Sequence, residues 1–89
     1  MGGTLVDSFK NECHQISEEN IKNKIKLARV EKDLTQQELA EKIGVTRQTI
    51  GLIERGEYNP TIVLCLKLSC VLEKSLNELF WLEVKQDEN

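Results

Sequence analysis

Apolar residues recur at helical spacing through most of this chain, and this pattern predicts a series of short helices. In the first, over residues 21–32, Ile21, Ile25 and Ala28 share one face. Further helices are predicted after Thr35, after Thr46, over residues 62–72 and over residues 76–80. We therefore predict an all-α fold of five helices.

The second and third helices form a pair with clear start and stop signals. Thr35 and Glu38 predict a capping box at the start of the first helix of the pair. Gly44 is expected to end that helix in the left-handed conformation, and Thr46 to cap the next one. Ala40 is small enough to let the two helices cross closely.

The second helix of the pair is predicted to turn a polar face outward. Ile50 and Ile53 point inward at helical spacing. When the first turn of a helix enters the DNA major groove, arginine can pair bidentately with guanine and glutamine with adenine. The residues left on or near the outer face are Arg47, Gln48, Thr49 and Leu52.

The helix pair resembles the lambda-repressor-like helix-turn-helix family, the class of phage repressors and small bacterial regulators. The resemblance is carried by the TQ-x-x-LA start, the Gly44-Val45 turn and the IERG ending, and it extends from about residue 21 to residue 80. It implies a domain that binds double-stranded DNA. The contacts that it implies are a phosphate contact from Gln36, base contacts from Arg47, Gln48 and Thr49, and a backbone contact near Arg55.

The resemblance also implies an ion pair between Arg29 and Glu54, and an arginine fork suits a partly buried carboxylate. Leu52 departs from phage repressors that have a polar base-reading residue there, so either it contacts a thymine methyl or base reading ends before it. A glycine within a helix lowers its stability by about 1 kcal/mol relative to alanine. The presence of Gly51 therefore indicates either close approach of another group, such as the DNA backbone, or simple tolerance of the glycine. Asn59 either reaches a phosphate or serves the turn alone.

Charge is unevenly distributed along the chain, whose net charge is -3. Residues 21–60 carry eight Lys or Arg against six Asp or Glu, whereas the segments on both sides are acidic. A positive centre fits modest DNA affinity that weakens with salt, and the alternative is an ordinary solvated surface.

Several functional classes find no support in the sequence. There is no nucleophile and base constellation and no phosphate-binding glycine loop, so we expect neither enzyme activity nor a cofactor. A zinc site from Cys13, His14, Cys65 and Cys70 does not match ordinary ligand spacing, so we expect no metal, and a redox switch at Cys70 is the other hypothesis. We expect a cytoplasmic chain with no membrane association, because it has no long apolar segment and no secretion signal.

The helix predicted over residues 62–72 is apolar on two faces, and one core cannot bury both. The face predicted to point inward comprises Ile62, Cys65, Leu66, Ser69 and Leu72. The other face is expected to contact either a second copy or the N-terminal extension. Together with an apolar patch near the C-terminus it predicts a dimer interface of six residues, Leu64, Leu68, Val71, Phe80, Trp81 and Leu82.

Residues 1–20 precede the resemblance and form an N-terminal extension. Leu5, Phe9, Cys13 and Ile16 repeat at helical spacing, which favours an amphipathic helix, with disorder as the alternative. The extension is also a candidate contact for a protein partner. The DNA-binding domain is predicted over residues 21–82, and residues 83–89 are expected to form a frayed polar tail.

These features predict a sequence-specific transcriptional regulator, acting as a homodimeric repressor on a palindromic operator. One alternative is an antitoxin or a restriction-system controller, which would use the same DNA chemistry. The other is a protein-interaction module built on the helix-turn-helix scaffold.

Overall fold

The computed structural model describes residues 13–83 of the chain. Two 3₁₀ turns, Cys13–Gln15 and Glu18–Asn20, precede five α-helices and two short strands within these residues. The elements that follow are β1 (Ile21–Asn23), α1 (Ile25–Glu31), α2 (Gln36–Ile43), α3 (Arg47–Glu54), α4 (Ile62–Leu72), α5 (Leu76–Leu79) and β2 (Phe80–Leu82).

The five predicted helices are present, but the all-α prediction is wrong at the two ends of the domain. β1 and β2 pair in an antiparallel two-stranded sheet, with Ile21 opposite Leu82 and Lys22 opposite Trp81. Ile21, predicted to begin the first helix, therefore lies in β1 instead. A three-residue strand carries almost no periodicity of its own, and its partner lies about sixty residues away in the chain.

Asn23 separates β1 from α1. Its side-chain Oδ1 accepts a hydrogen bond from the Ile25 N–H at 3.0 Å, and its Nδ2 donates to the Ile53 carbonyl at 3.0 Å. The side chain therefore satisfies a free N–H at the start of α1 and ties that start to the end of α3. An asparagine two residues before an apolar helical run is the signal that could have located this boundary.

The described part of the N-terminal extension consists of 3₁₀ turns and not of an α-helix. Leu5 and Phe9, on which half of the predicted helical pattern depended, lie outside the described residues. The Glu83 N–H donates to the Asn20 carbonyl at 2.8 Å, and the Asn20 side-chain amide donates to the Glu83 carbonyl at 3.2 Å. These two bonds extend the pairing of β1 with β2 by one residue.

The predicted helix caps are present. The Glu38 N–H donates to Thr35 Oγ1 at 3.0 Å, and the Thr35 N–H donates to Glu38 Oε1 at 2.8 Å. Gly44 has a φ of 80°, in the left-handed region, and ends α2. A second capping box begins α5, where the Ser75 N–H donates to the Glu78 carboxylate and lowers the pKa of that carboxyl group.

A single hydrophobic core lies between the helices. Ala40 is completely buried where α2 packs against α3, as its small size predicted. All five helices contribute to the core, whose buried residues are Ile25, Ala28, Leu39, Ala40, Ile43, Ile50, Ile53, Leu68, Leu72 and Leu79.

The inward face predicted for α4 is correct at Leu72, which is completely buried, and wrong at other positions. Leu68 is also completely buried, so its predicted dimer contact is wrong. Leu64 and Val71 are half-buried and pack against the core of the same chain. Ile62 and Leu66, expected inward, are instead exposed. Because α4 is apolar almost all round, its periodicity could not decide which side meets α2 and α5.

Two leucines on opposite faces of α4 test this orientation. Leu68→Ala should lower the free energy of unfolding by about 2–5 kcal/mol, because it leaves a cavity in the core. Leu66→Ala, the matched control on the exposed face, should change it by no more than about 0.5 kcal/mol at concentrations where the chain is monomeric. Urea unfolding of both variants measures the difference, and equal effects would contradict the orientation described here.

Candidate nucleic-acid interface

α2 and α3 form the predicted pair of helices, joined by a turn of three residues. The side-chain oxygen of Thr46 accepts a hydrogen bond from the Thr49 N–H at 3.2 Å and starts α3. Ile50 and Ile53 are buried beneath α3. The first turn of the helix therefore faces solvent.

Arg47 and Gln48 are exposed on this first turn, as predicted. They line a shallow cleft of about 390 Å³ between the beginning of α2 and the outer face of α3. Two guanidinium groups and two amide side chains meet there, which are the donors and acceptors that suit phosphates and base edges. The lining residues are Gln36, Arg47, Gln48, Gly51 and Arg55.

Other residues predicted to contact DNA lie in different settings. Thr49 is half-buried, and its hydroxyl lies 3.0 Å from that of Thr46, so its side chain already takes part in capping the helix. Leu52 is half-buried on α3. Asn59 is exposed in the loop after α3. Arg55 lines the cleft and is exposed, and its Nε lies 3.4 Å from Glu57 Oε1.

The predicted ion pair between Arg29 and Glu54 is confirmed. Arg29 Nε donates to Glu54 Oε2 at 2.7 Å and Nη2 donates to Oε1 at 3.3 Å, a two-point contact. The two side chains are 11% and 4% exposed, so the pair is buried. Arg29 Nη1 also donates to the Leu34 carbonyl at 2.9 Å, which fixes the turn between α1 and α2.

Gln36 joins this buried pair to the cleft. Its Nε2 donates to Glu54 Oε1 at 3.0 Å, and the residue also lines the cleft beside Arg47. No pattern in the sequence connects Gln36 to the ion pair. Because Glu54 accepts hydrogen bonds from both Arg29 and Gln36, its carboxylate holds the Gln36 amide in one orientation.

Gly51 lies at the bottom of the cleft. A Cβ built there would lie 3.5 Å from Arg55 Nη1 and 3.9 Å from Gln36 Nε2. Both are ordinary van der Waals distances, so packing among these neighbours does not require a glycine. The two explanations offered by the sequence, approach of DNA and simple tolerance, both fit this geometry.

The apolar patch near the C-terminus belongs to β2. Phe80 packs against the core, whereas Trp81 and Leu82 are 40% and 37% exposed. Lys24 Nζ lies 5.7 Å from the centroid of the Trp81 ring, within the range of a cation–π contact. Part of the tryptophan is therefore already covered by the chain itself.

The cysteines of α4 differ in exposure. Cys70 is exposed, whereas Cys65 is half-buried, and burial raises the pKa of its thiol. A raised pKa keeps Cys65 protonated and less nucleophilic at neutral pH. Within residues 13–83, no group of three or more His, Cys, Asp or Glu side chains is arranged to hold a metal ion.

Comparison with known proteins places this architecture in a family. The pattern of the Helix-turn-helix family matches residues 25–79, more than half of the chain. The chain belongs to this family. The resemblance to lambda-repressor-like proteins is thereby confirmed, and the match spans all five helices.

Relatives of the chain in this family include transcriptional regulators from bacteria and archaea. It is 41% identical over 63 residues to YgzD of Bacillus subtilis, named an uncharacterized HTH-type transcriptional regulator, and the match covers 71% of this chain and 96% of the relative. A regulator with the same kind of name from Methanocaldococcus jannaschii is 42% identical over 60 residues, covering 67% of this chain and 91% of the relative.

A solved structure is similar as well. The restriction-modification controller protein C.AhdI from Aeromonas hydrophila is 35% identical to this chain and superposes with a TM-score of 0.57. The match covers 61% of this chain and 78% of C.AhdI.

Within the described residues, no helix has both the length and the apolar character needed to cross a membrane.

The buried ion pair makes a testable contribution to stability. Arg29→Ala should lower the free energy of unfolding by about 3–5 kcal/mol, because it leaves the Glu54 carboxylate buried without its cation. Glu54→Ala should have a similar effect through Arg29. A double-mutant cycle measured by urea unfolding should show strong coupling between the two positions, and additive effects would contradict the assigned pairing.

Proposed function

We propose that this chain is a sequence-specific transcriptional regulator that binds double-stranded DNA. The observation that carries the proposal is the exposed first turn of α3, where Arg47 and Gln48 stand beside Gln36 and Arg55 in one polar cleft. Membership of the helix-turn-helix family agrees with this use of the cleft. The chain acts in the cytoplasm, where it has access to DNA.

The first turn of α3 reads the bases. With this turn in the major groove, Arg47 donates two hydrogen bonds to the O6 and N7 of a guanine. The Gln48 amide makes a two-point contact with an adenine, in which Nε2 donates to N7 and Oε1 accepts from the N6 amino group. The Thr49 hydroxyl remains hydrogen-bonded to that of Thr46 in the helix cap. Leu52 offers an apolar contact for a thymine methyl group.

Phosphate contacts orient the domain on the duplex. Gln36 is the first residue of α2, where free backbone N–H groups and the helix dipole favour an anion. Glu54 already holds the Gln36 amide, so little side-chain freedom is lost when a phosphate binds. Arg55 supplies a second phosphate contact at the other edge of the cleft, and Asn59 a third from the following loop.

The regulator acts as a homodimeric repressor on a palindromic operator. One α3 helix reads only a few base pairs, so a second copy related by a two-fold axis is needed for a specific site. Two reading helices about 34–36 Å apart would enter successive major grooves on one face of the duplex. A dimer bound in this way over a promoter blocks access of the polymerase.

Control of a restriction-modification system is a second candidate function. It is favoured by the similarity to the restriction-modification controller protein C.AhdI. Both functions use the same contacts to DNA. They differ in the genes that the operator controls. Selection of bound duplexes from a random pool yields the operator sequence, and its position relative to restriction genes in the source genome decides between the two.

Arg47 provides the direct test of base reading. Arg47→Ala should weaken binding to the selected operator by about 1–3 kcal/mol and relax the preference at one base pair, because one bidentate contact to a guanine is lost. Fluorescence anisotropy with the operator and with duplexes changed at single positions measures both effects.

Two charge-matched controls accompany this measurement. Arg55→Ala should weaken binding to all duplexes alike, as expected for a phosphate contact. Lys26→Ala removes an exposed positive charge from α1 that does not line the cleft, and it should have little effect. A uniform loss of affinity in the Arg47 variant would make this residue a phosphate contact and contradict its role in base reading.

Gly51 distinguishes close approach of DNA from simple tolerance. Gly51→Ala should raise the free energy of unfolding by up to about 1 kcal/mol, because the added methyl group fits beside Arg55 and favours the helix. The same methyl group should weaken operator binding, because it narrows the cleft where the DNA backbone approaches. Thermal unfolding and anisotropy measure the two effects, and unchanged affinity in a stabilised variant would favour tolerance.

A further inference from the structure

A band of apolar side chains runs along the solvent side of α4. Ile62, Val63 and Leu66 are 70%, 61% and 54% exposed, and Cys70 is exposed one turn further on. We call these four residues the α4 outer stripe. Ile62, Leu66 and Cys70 recur at spacings of four residues, and Val63 lies three residues before Leu66, so the stripe is one continuous face over more than two turns of the helix.

We propose that the α4 outer stripe is the contact between two copies of this chain, related by a two-fold axis that passes close to Leu66. This inference rests on the homodimer of the proposed function and identifies the surface that forms it. The other side of α4, with Leu68 and Leu72, is buried in the core of the same chain. Contiguous exposed apolar faces of this kind are typical of interaction sites.

Self-complementarity favours a second copy as the occupant. The four residues of the stripe are uncharged, so the stripe itself places no like charges against each other. In an antiparallel arrangement centred on Leu66, Ile62 of one copy lies opposite Cys70 of the partner subunit. The larger Ile62 near the beginning of α4 is thereby paired with the smaller Cys70 near its end.

The charges at the two ends of α4 fit the same arrangement. An α-helix carries partial positive charge at its beginning and partial negative charge at its end, so antiparallel helices attract each other. Glu73, the residue that caps the end of α4, does not add to this attraction, because its carboxylate is ion-paired with Lys32 Nζ of the same chain at 2.7 Å.

The size of the stripe indicates a dimer of moderate strength. Stable interfaces bury about 800 Å² on each partner, more than four side chains of this size supply. We therefore expect a dissociation constant in the micromolar range without DNA, on the order of 1–100 µM by comparison with small interfaces. Binding of both reading helices to one operator raises the effective concentration of the second copy and tightens the dimer.

Leu66 and Leu27 form a matched pair for the test. They are the same residue type with almost equal exposure, 54% and 55%, but Leu27 lies on α1 beside Trp81 in a separate groove. Leu66→Glu should weaken dimerisation at least tenfold in sedimentation equilibrium, whereas Leu27→Glu should leave it unchanged. Circular dichroism checks that both variants keep their helices.

Cross-linking tests the position of the two-fold axis directly. In a chain carrying Cys13→Ser, Cys65→Ala and Cys70→Ser, Leu66→Cys should give a disulfide-linked dimer on mild oxidation, because residues on the axis approach within disulfide range. Leu27→Cys in the same background should remain monomeric. With Cys70 retained, Ile62→Cys should also link two copies.

Three outcomes would overturn the proposal. The first is a wild-type chain that remains monomeric at several hundred micromolar. The second is a dimer that Leu66→Glu leaves intact, and the third is a dimer that Leu27→Glu disrupts instead, which would assign the contact to the surface around Trp81. Duplex selection with the wild-type chain tests DNA binding separately, so failure of the interface and failure of the proposed function can be told apart.

Discussion

The buried carboxylate of Glu54 is the interaction on which the rest of the domain depends. It accepts hydrogen bonds from Arg29 of α1 and from Gln36 of α2, while its own backbone lies at the end of α3. Three helices are therefore held together through one side chain. Because a buried charge without a partner is costly, any movement of one helix relative to the others would be opposed. The relative positions of Gln36 and Arg47 follow from this constraint.

The same arrangement separates stability from recognition. Arg29 and Glu54 are buried and contribute no atoms to the cleft lining, whereas Arg47 and Gln48 are exposed and have no role in the core. Changes at the exposed positions can therefore alter which bases are read without disturbing the fold. Gln36 contributes to both stability and recognition, since its side chain donates a hydrogen bond to Glu54 and also lines the cleft.

Features encoded by neighbouring residues could be predicted from the sequence. The capping box at Thr35 and the left-handed turn at Gly44 depend on short-range hydrogen bonds and on backbone freedom, and both are present. The orientation of α4 and the pairing of β1 with β2 depend on contacts between distant segments. Leu66 and Leu68 are equally apolar, so composition alone could not show which of them enters the core. In the cleft, the residue types were evident from the sequence, whereas the link from Gln36 to Glu54 required the packed helices.

The short sheet brings the two ends of the described domain together. Asn20 and Glu83 are hydrogen-bonded to each other although more than sixty residues separate them in the chain. Adjacent ends are the geometry that permits circular permutation and insertion of a domain into a surface loop of another protein. This domain could therefore be placed within a host protein through two short linkers, leaving α3 free on its surface.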